Sequence, residues 1–333
     1  MALGVIQTSV FTEENMFSLN LYNALKSQGN LFMSPFSITQ ALGDATVGAR
    51  GQTLKELANV LGLAEDPAQM AADLTKTANE IDNIGDVTMR VANKLYPQIG
   101  YQFVDAYLQL MGAAEIEWVD YTTDPEAVRV QINTWVEQKT NDKIVGLIGP
   151  NVLDTLTRLV LVNAIYFKGD WASKFDKGLT KPLPFYTPSG EVEAPLMYQN
   201  HKFGYTEGNG YQAVRLPYVG DDRLAMVVIL PREQQGLTEL MGNFDARSFD
   251  RLIRELEWAD PRETNLWFPK FEITWGTEEL APIFQQLGVE AAFNPGLADF
   301  SGMTATNDLF ISNVLHKAFV AVVAGTTLGM MIA

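Results

Sequence analysis

The chain has 333 residues, 47% of them apolar, and carries 40 acidic against 24 basic side chains for a formal net charge of −16. This length and apolar content can bury a large core, while the negative charge repels phosphate backbones and anionic lipid, which argues against nucleic acid or a membrane surface as partner. The absence of cysteine excludes disulfides, thiolate metal sites and a cysteine nucleophile. No run approaches the roughly 20 apolar residues of a membrane span. The opening Met1-Ala2-Leu3-Gly4-Val5-Ile6 lacks the basic start of a signal peptide, so the expected location is the cytoplasm or, for a mature form, outside the cell.

Helical patterns come first. Phe17, Leu21 and Leu25 recur every four residues, and Ser37-Ile-Thr-Gln40 ahead of Ala41 and Leu42 reads as a capping box opening a buried helix. After the break Gly48-Ala-Arg-Gly51, a second box, Thr53-Leu-Lys-Glu56, leads a helix carrying Leu57, Ala58 and Leu61. Asp124-Pro125 starts another, with Val128, Ile132, Trp135 and Val136 on one face. Strand patterns are predicted over 88–96, 212–218, 224–230 and 265–273. The runs 158–168 and 309–322 are apolar on both faces, as central strands covered on both sides are. Gly and Pro mark no linker, so one domain over 1–333 is expected. Helices first and strands later, without regular alternation, predict an α+β fold.

Catalytic chemistry finds little support. Only two histidines exist: His201 in the polar stretch Gln199-Asn-His-Lys202, and His316 inside an apolar strand on the face of Val314 and Ala318. A Ser-His-Asp hydrolase would need one of them as general base, and a hydrogen-bonded core histidine is the competing reading of His316. There is no Gly-x-Ser-x-Gly elbow, phosphate-binding glycine loop or His-Glu-x-x-His motif, so neither an enzyme nor a metal or cofactor is expected. Asn163, on the face of Leu161 and Ile165, and His316 must each find partners, because an unpaired buried polar group costs roughly 1–3 kcal/mol. Ser34 and Ser37, flanking Pro35, are sources of hydroxyls for them or of helix caps.

In chain order, several segments resemble the serpins: Asn30-Leu-Phe-Met-Ser34-Pro-Phe-Ser37-Ile, Val47-Gly-Ala-Arg-Gly51-Gln-Thr53, Val162-Asn163-Ala-Ile-Tyr-Phe-Lys-Gly169-Asp-Trp171, Phe268-Pro-Lys-Phe271, Ala292-Phe-Asn-Pro-Gly296, Ala298-Asp-Phe-Ser-Gly302 and Ile311-Ser-Asn-Val-Leu-His316-Lys-Ala-Phe319. The resemblance implies packed helices with three β-sheets, the largest, sheet A, able to admit an extra strand between the strands near 158–168 and 309–322. It further implies that Ser34, Ser37, Asn163 and His316 form the shutter beneath the opening of sheet A, that Trp171 lies at the breach where the loop enters, and that the helix from Pro125 to about Lys139 crosses the sheet. An ordinary buried aromatic is the alternative for Trp171.

The implied function is suicide-type inhibition of a serine or cysteine protease: the reactive loop is cut as a substrate, and the severed loop inserts as a strand before the acyl-enzyme hydrolyses. Two departures stand against the pattern. The segment Val320-Ala-Val-Val-Ala-Gly325-Thr-Thr-Leu-Gly-Met-Met-Ile-Ala333 lacks the acidic pair expected ahead of Gly-Thr, and no closing segment follows it. Either Gly325-Thr326 is the hinge and the sequence stops partway through the loop, or Gly325 to Ala333 is the distal loop with hinge residues absent. On the reading that the chain is loop-cleaved, the reactive loop comprises Gly325, Thr326, Thr327, Leu328, Gly329, Met330, Met331, Ile332 and Ala333, and Ala333 is the candidate P1 residue. Leu328, Met330 and Ile332 alternate with Gly329 and Met331 as strand residues do. The expected partners are an elastase- or subtilisin-like protease and the protein's own C-terminal fragment, with the inhibitor itself a monomer. A non-inhibitory serpin acting as a binding or structural protein is the alternative.

Overall fold

In a computed structural model of the chain, the described residues are 2–3, 12–26, 29–82, 87–112, 115–187, 189–220, 224–306 and 308–332. The helices are α1 (Thr12–Leu25), α2 (Pro35–Gly48), α3 (Gly51–Leu61), α4 (Pro67–Asp82), α5 (Asp105–Leu110), α6 (Pro125–Lys139), α7 (Leu237–Asn243), α8 (Ala246–Trp258) and α9 (Ala281–Gln286). The strands are β1 (Ala2–Leu3), β2 (Thr88–Pro97), β3 (Glu115–Ile116), β4 (Leu159–Asp170), β5 (Lys181–Thr187), β6 (Gly190–Gly208), β7 (Tyr211–Pro217), β8 (Ala225–Pro231), β9 (Arg262–Pro269), β10 (Phe271–Glu279), β11 (Leu315–Val322) and β12 (Thr326–Ile332).

The large sheet runs β10-β11-β12-β4-β2-β3, antiparallel except for the β2–β3 pair. The other strands form two ladders that share the long strand β6. Its early residues pair with β5, its middle with β9 and its end with β7, which continues to β8 and β1. One 19-residue strand thus joins the two smaller sheets of the expected three.

Several local expectations shift by a turn or a break, each for a visible reason. Ser34, not Ser37, caps α2: its side chain accepts the Ser37 N–H, with Pro35 at the first helical position. The expected second box does not cap α3, whose N-cap is Arg50; its side chains bond instead to backbone groups far along the chain. The Thr53 hydroxyl accepts from Asp299 N–H at 3.0 Å, and the Glu56 carboxylate from the N–H groups of Glu290 and Ala291, both at 2.8 Å. The predicted strand 265–273 is two strands in different sheets, broken after Pro269, and of the run 309–322 only 315–322 is strand. Asp124 caps α6 by accepting the Ala127 N–H, as the Asp-Pro pair predicts.

Alternation along the central strands divides the core. Ile165, Phe167, Ala318, Val320 and Val322 face inward, toward Phe203, Leu216 and Phe268 of the second sheet. Val162, Ala164 and Phe319 face outward, beneath Val128, Ile132 and Val136 of α6. Phe17, Leu21 and Leu25 of α1 lie in a third cluster around α2, in which every residue from Ser37 to Gly48 is buried. Small residues let α2 sit there: a Cβ at Gly48 would lie 2.1 Å from Met303 Cγ.

Candidate functional site

The most distinctive feature of the large sheet is its fourth-from-last strand. After β11 the chain reverses in a tight turn, with the N–H of Val323 donating to Thr326 O and the N–H of Thr326 to Val323 O, at 3.0 and 3.3 Å. It then runs back as β12 between β11 and β4, antiparallel to both. Thr326 to Ile332 pair with Asp170 to Ala164 on one side, and Thr327 to Ile332 with Val322 to Lys317 on the other. Leu328 and Met330 contribute to the outward cluster under α6, Met330 almost wholly buried, while Thr327 is buried and Gly329 lies against Phe167. The segment Thr326–Ile332 thus lies between the two apolar strands 159–170 and 315–322. Gly325 closes the turn and Thr326 heads β12. Ala333, the expected P1 residue, lies outside the described residues.

Trp171 holds that turn. Its indole Nε1 donates to Val323 O at 3.0 Å and its N–H to Gly325 O at 3.1 Å, and the Phe175 N–H donates to Ala324 O at 3.0 Å. The indole stacks on Tyr218 at 4.9 Å and meets the edge of Phe175. The Thr326 hydroxyl adds a bond to Gly169 O. Each of Val323, Ala324 and Gly325 thus gives its carbonyl to the segment 171–175, so Trp171 is more than a space-filling aromatic. Burial pushes the Tyr218 phenol well above its ordinary range, and it stays neutral beside the Thr327 hydroxyl.

Where β12 pairing ends, opposite Ala164 and Lys317, the next residues of the flanking strands are Asn163 and His316. Here the four polar residues singled out by the sequence come together. The Ser34 N–H donates to His316 Nε2 at 3.2 Å, the Ser37 N–H to Ser34 Oγ at 3.1 Å, and the Ser37 hydroxyl to Asn163 Oδ1 at 2.5 Å. Asn163 Nδ2 then donates to Asn93 Oδ1 at 2.6 Å, across the β2–β4 ladder where the two are directly opposed. Both hydroxyl roles considered for the serines occur: Ser34 caps and Ser37 reaches the strand. His316 Nε2 is engaged as acceptor by a backbone N–H inside a fully buried site, which takes that nitrogen from the role a general base needs. His201 is exposed on β6. Among the described residues no group of three or more His, Asp or Glu side chains is placed to hold a metal ion.

Over this region α6 is fastened by its own connection to β4. Asn133 and Ile148 exchange two hydrogen bonds of 2.9 Å, Lys317 Nζ donates to Val145 O, and Lys143 lies over the Phe319 ring. Sequence reasoning missed Asn93, and also Lys94, whose buried ammonium bonds to Glu115 and Glu117 at 2.7 and 2.6 Å beneath Trp135. Asn93 carried the same signal as Asn163, a polar side chain within an apolar strand, in the predicted strand 88–96.

This fold and site define a protein whose largest sheet takes in the segment following one of its own strands. The sequence matches the family described as Serpin (serine protease inhibitor) over residues 12–328, and the chain belongs to that family. It is 34% identical over 325 residues to the leukocyte elastase inhibitor of Equus caballus, covering 93% of this chain and 84% of that one. Among solved structures it resembles a cleaved serpin 42Da (TM-score 0.88, 31% identity, 97% of this chain and 88% of that one). It also resembles a reaction-loop-cleaved lamprey angiotensinogen (TM-score 0.84, 27% identity, 96% of each).

Proposed function

We propose that this serpin is a suicide-type inhibitor of serine proteases, and of cysteine proteases that accept the same loop, trapping them as acyl-enzymes while the cleaved loop enters the large sheet. The observation that carries this reading is the registered pairing of β12 with both β11 and β4. Exchanging one β4–β11 ladder for two adds about one ladder of seven residue pairs, on the order of 7 kcal/mol at about 1 kcal/mol per hydrogen bond, before any side-chain burial. The uncleaved form is then held by a barrier rather than by its equilibrium stability. Ser34, Ser37, Asn163 and His316 act as the shutter, Trp171 as the breach, and 325–333 as reactive loop, with Ala333 as P1. The apolar loop and the likeness to an elastase inhibitor point to an elastase- or subtilisin-like target.

The missing acidic pair favours the second reading, a binding protein without inhibitory action. Burial argues the other way. Val320, Val322 and Ala324 are all buried at the hinge, where a carboxylate would be costly, so apolar residues there assist insertion. The deciding experiment incubates the full-length protein with elastase-, subtilisin-, trypsin- and chymotrypsin-like proteases and follows intact mass and denaturing electrophoresis. A denaturant-stable adduct of combined mass, with release of a C-terminal peptide, supports inhibition and identifies P1. Clean cleavage without adduct overturns the proposal in favour of the second reading.

A further inference from the structure

Away from the insertion site, one carboxyl group is buried with nothing to neutralise it. Asp44 lies in the middle of α2 at 9% exposure. Its backbone carbonyl accepts from Tyr107 Oη at 3.2 Å, but among the described residues no hydrogen bond or ion pair reaches its carboxylate. The side chain lines an inner chamber of about 100 Å³ whose other polar walls are Gln40 of α2, Thr75 and Asn79 of α4, and Asn93 of β2. Outside it, between α4 and α5, lies an open groove of about 790 Å³ lined by Ala68, Ala71, Ala72 and Leu110. The two share Ala71, Thr75, Asn79 and Leu110, so one leads into the other. The charges at the mouth, Lys76 and Glu80, are exposed and pair with each other at 3.8 Å.

A buried carboxylate without a partner is costly, and burial pushes the Asp44 carboxyl up to about 7. A cation delivered to the chamber removes that cost. The volume is that of about three waters, which suits a compact head group, and the side-chain carbonyls of the surrounding amides can accept its remaining hydrogens. A single carboxylate and an adjoining alanine-lined groove fit an organic cation with an apolar tail better than a metal ion. We propose that this chamber and groove bind a primary alkylammonium ligand, its head group on the Asp44 carboxylate and its chain between α4 and α5. Asn93, which also accepts from Asn163, brings the occupant into contact with the polar relay of the large sheet.

The test is calorimetric titration of n-hexylammonium chloride into the intact protein, with no protease present, so its outcome is independent of whether the protein inhibits. Saturable one-site binding is expected at pH 8. It should weaken about tenfold by pH 6, because the head group binds only the ionised carboxyl. Asp44→Asn should abolish the binding, and Ala72→Trp, on the exposed wall of the groove, should weaken it while leaving the acid in place. Absence of saturable binding at pH 8, equal affinity for 1-hexanol, equal occupancy by sodium ions, or unchanged affinity in Asp44→Asn would each overturn the proposal.

Discussion

Replacing Met330 with glutamate tests whether insertion of β12 is what arrests a protease. Met330 is 1% exposed and lies under α6 in the cluster containing Ile132, Val136, Ala164 and Phe319. Burying its side chain contributes about 1.5–3 kcal/mol. A carboxylate in its place forfeits that gain and adds an effective desolvation penalty of several kcal/mol, which the Lys143 ammonium over the neighbouring Phe319 ring offsets only in part. Together these are comparable with the ~7 kcal/mol that the added ladder supplies at about 1 kcal/mol per bond, so insertion loses most of its driving force at this position. The assay is the partition between adduct and cleaved, unbound inhibitor on a denaturing gel against an elastase-like protease. Met330→Glu should move the partition almost wholly to cleaved product, Met330→Leu should leave it within about twofold, since a volume-conserving swap costs less than about 1.5 kcal/mol, and Leu328→Glu, at a half-buried position, should fall between. An adduct yield for Met330→Glu equal to that of the parent protein would refute the reasoning.

Other outcomes follow from the same geometry. Asn163→Ala leaves the Ser37 hydroxyl and Asn93 Oδ1 without their partners, and should cost about 1–3 kcal/mol for each group so stranded. A double-mutant cycle with Asn93→Ala, read from urea midpoints, should return about 0.5–3 kcal/mol of coupling, and additive costs would remove Asn93 from the relay. Trp171→Phe loses the indole bond to Val323 O and should destabilise the strand-inserted form by about 1–3 kcal/mol; an unchanged denaturation midpoint would show that the stack on Tyr218 alone holds the turn. The Asp44 carboxyl, raised from 3.8 to about 7 on folding, gives a stability contribution that is fully present below about pH 4 and lost as pH rises through 7. The roughly three-unit shift corresponds to about 4 kcal/mol. Urea midpoints of Asp44→Asn at pH 5 and pH 8 should therefore differ by less than those of the parent protein, and equal differences would place the carboxyl outside the pH dependence.

The sequence showed the central strands and the polar residues within them most clearly, because a strand covered on both faces tolerates Asn163 or His316 only if something bonds to it. It was less informative about which partner does so. Ser34 and Ser37 lie three residues apart and both could cap; only the placement of Pro35 as the first helical residue assigns the cap to Ser34 and frees the Ser37 hydroxyl for Asn163. Thr53 and Glu56 carry a local capping signature, yet their side chains serve backbone groups 234 to 246 residues away. A one-dimensional pattern does not encode such long-range choices. The run 265–273 read as one strand because both halves are apolar, and the division into two sheets depends on where each half finds a ladder.

The hinge shows how a departure in sequence is reinterpreted once burial is known. Judged by pattern, Val320-Ala-Val-Val-Ala lacks the acidic pair and so counts against inhibition. Judged by environment, its alternate members are core residues of the large sheet, and the carbonyls of Val323, Ala324 and Gly325 are each bonded by Trp171 or Phe175. Charge at the buried positions would oppose the strand reversal that leads into β12. On the proposed mechanism, insertion would be favoured at its first step by apolar burial and at its turn by Trp171. The polar relay lies one residue beyond the last described β12 pairs, so a longer inserted strand would next meet Asn163 and His316. On that mechanism the relay would resist the final part of insertion rather than its start, and weakening it at Asn163 should alter how far the loop travels more than whether it enters.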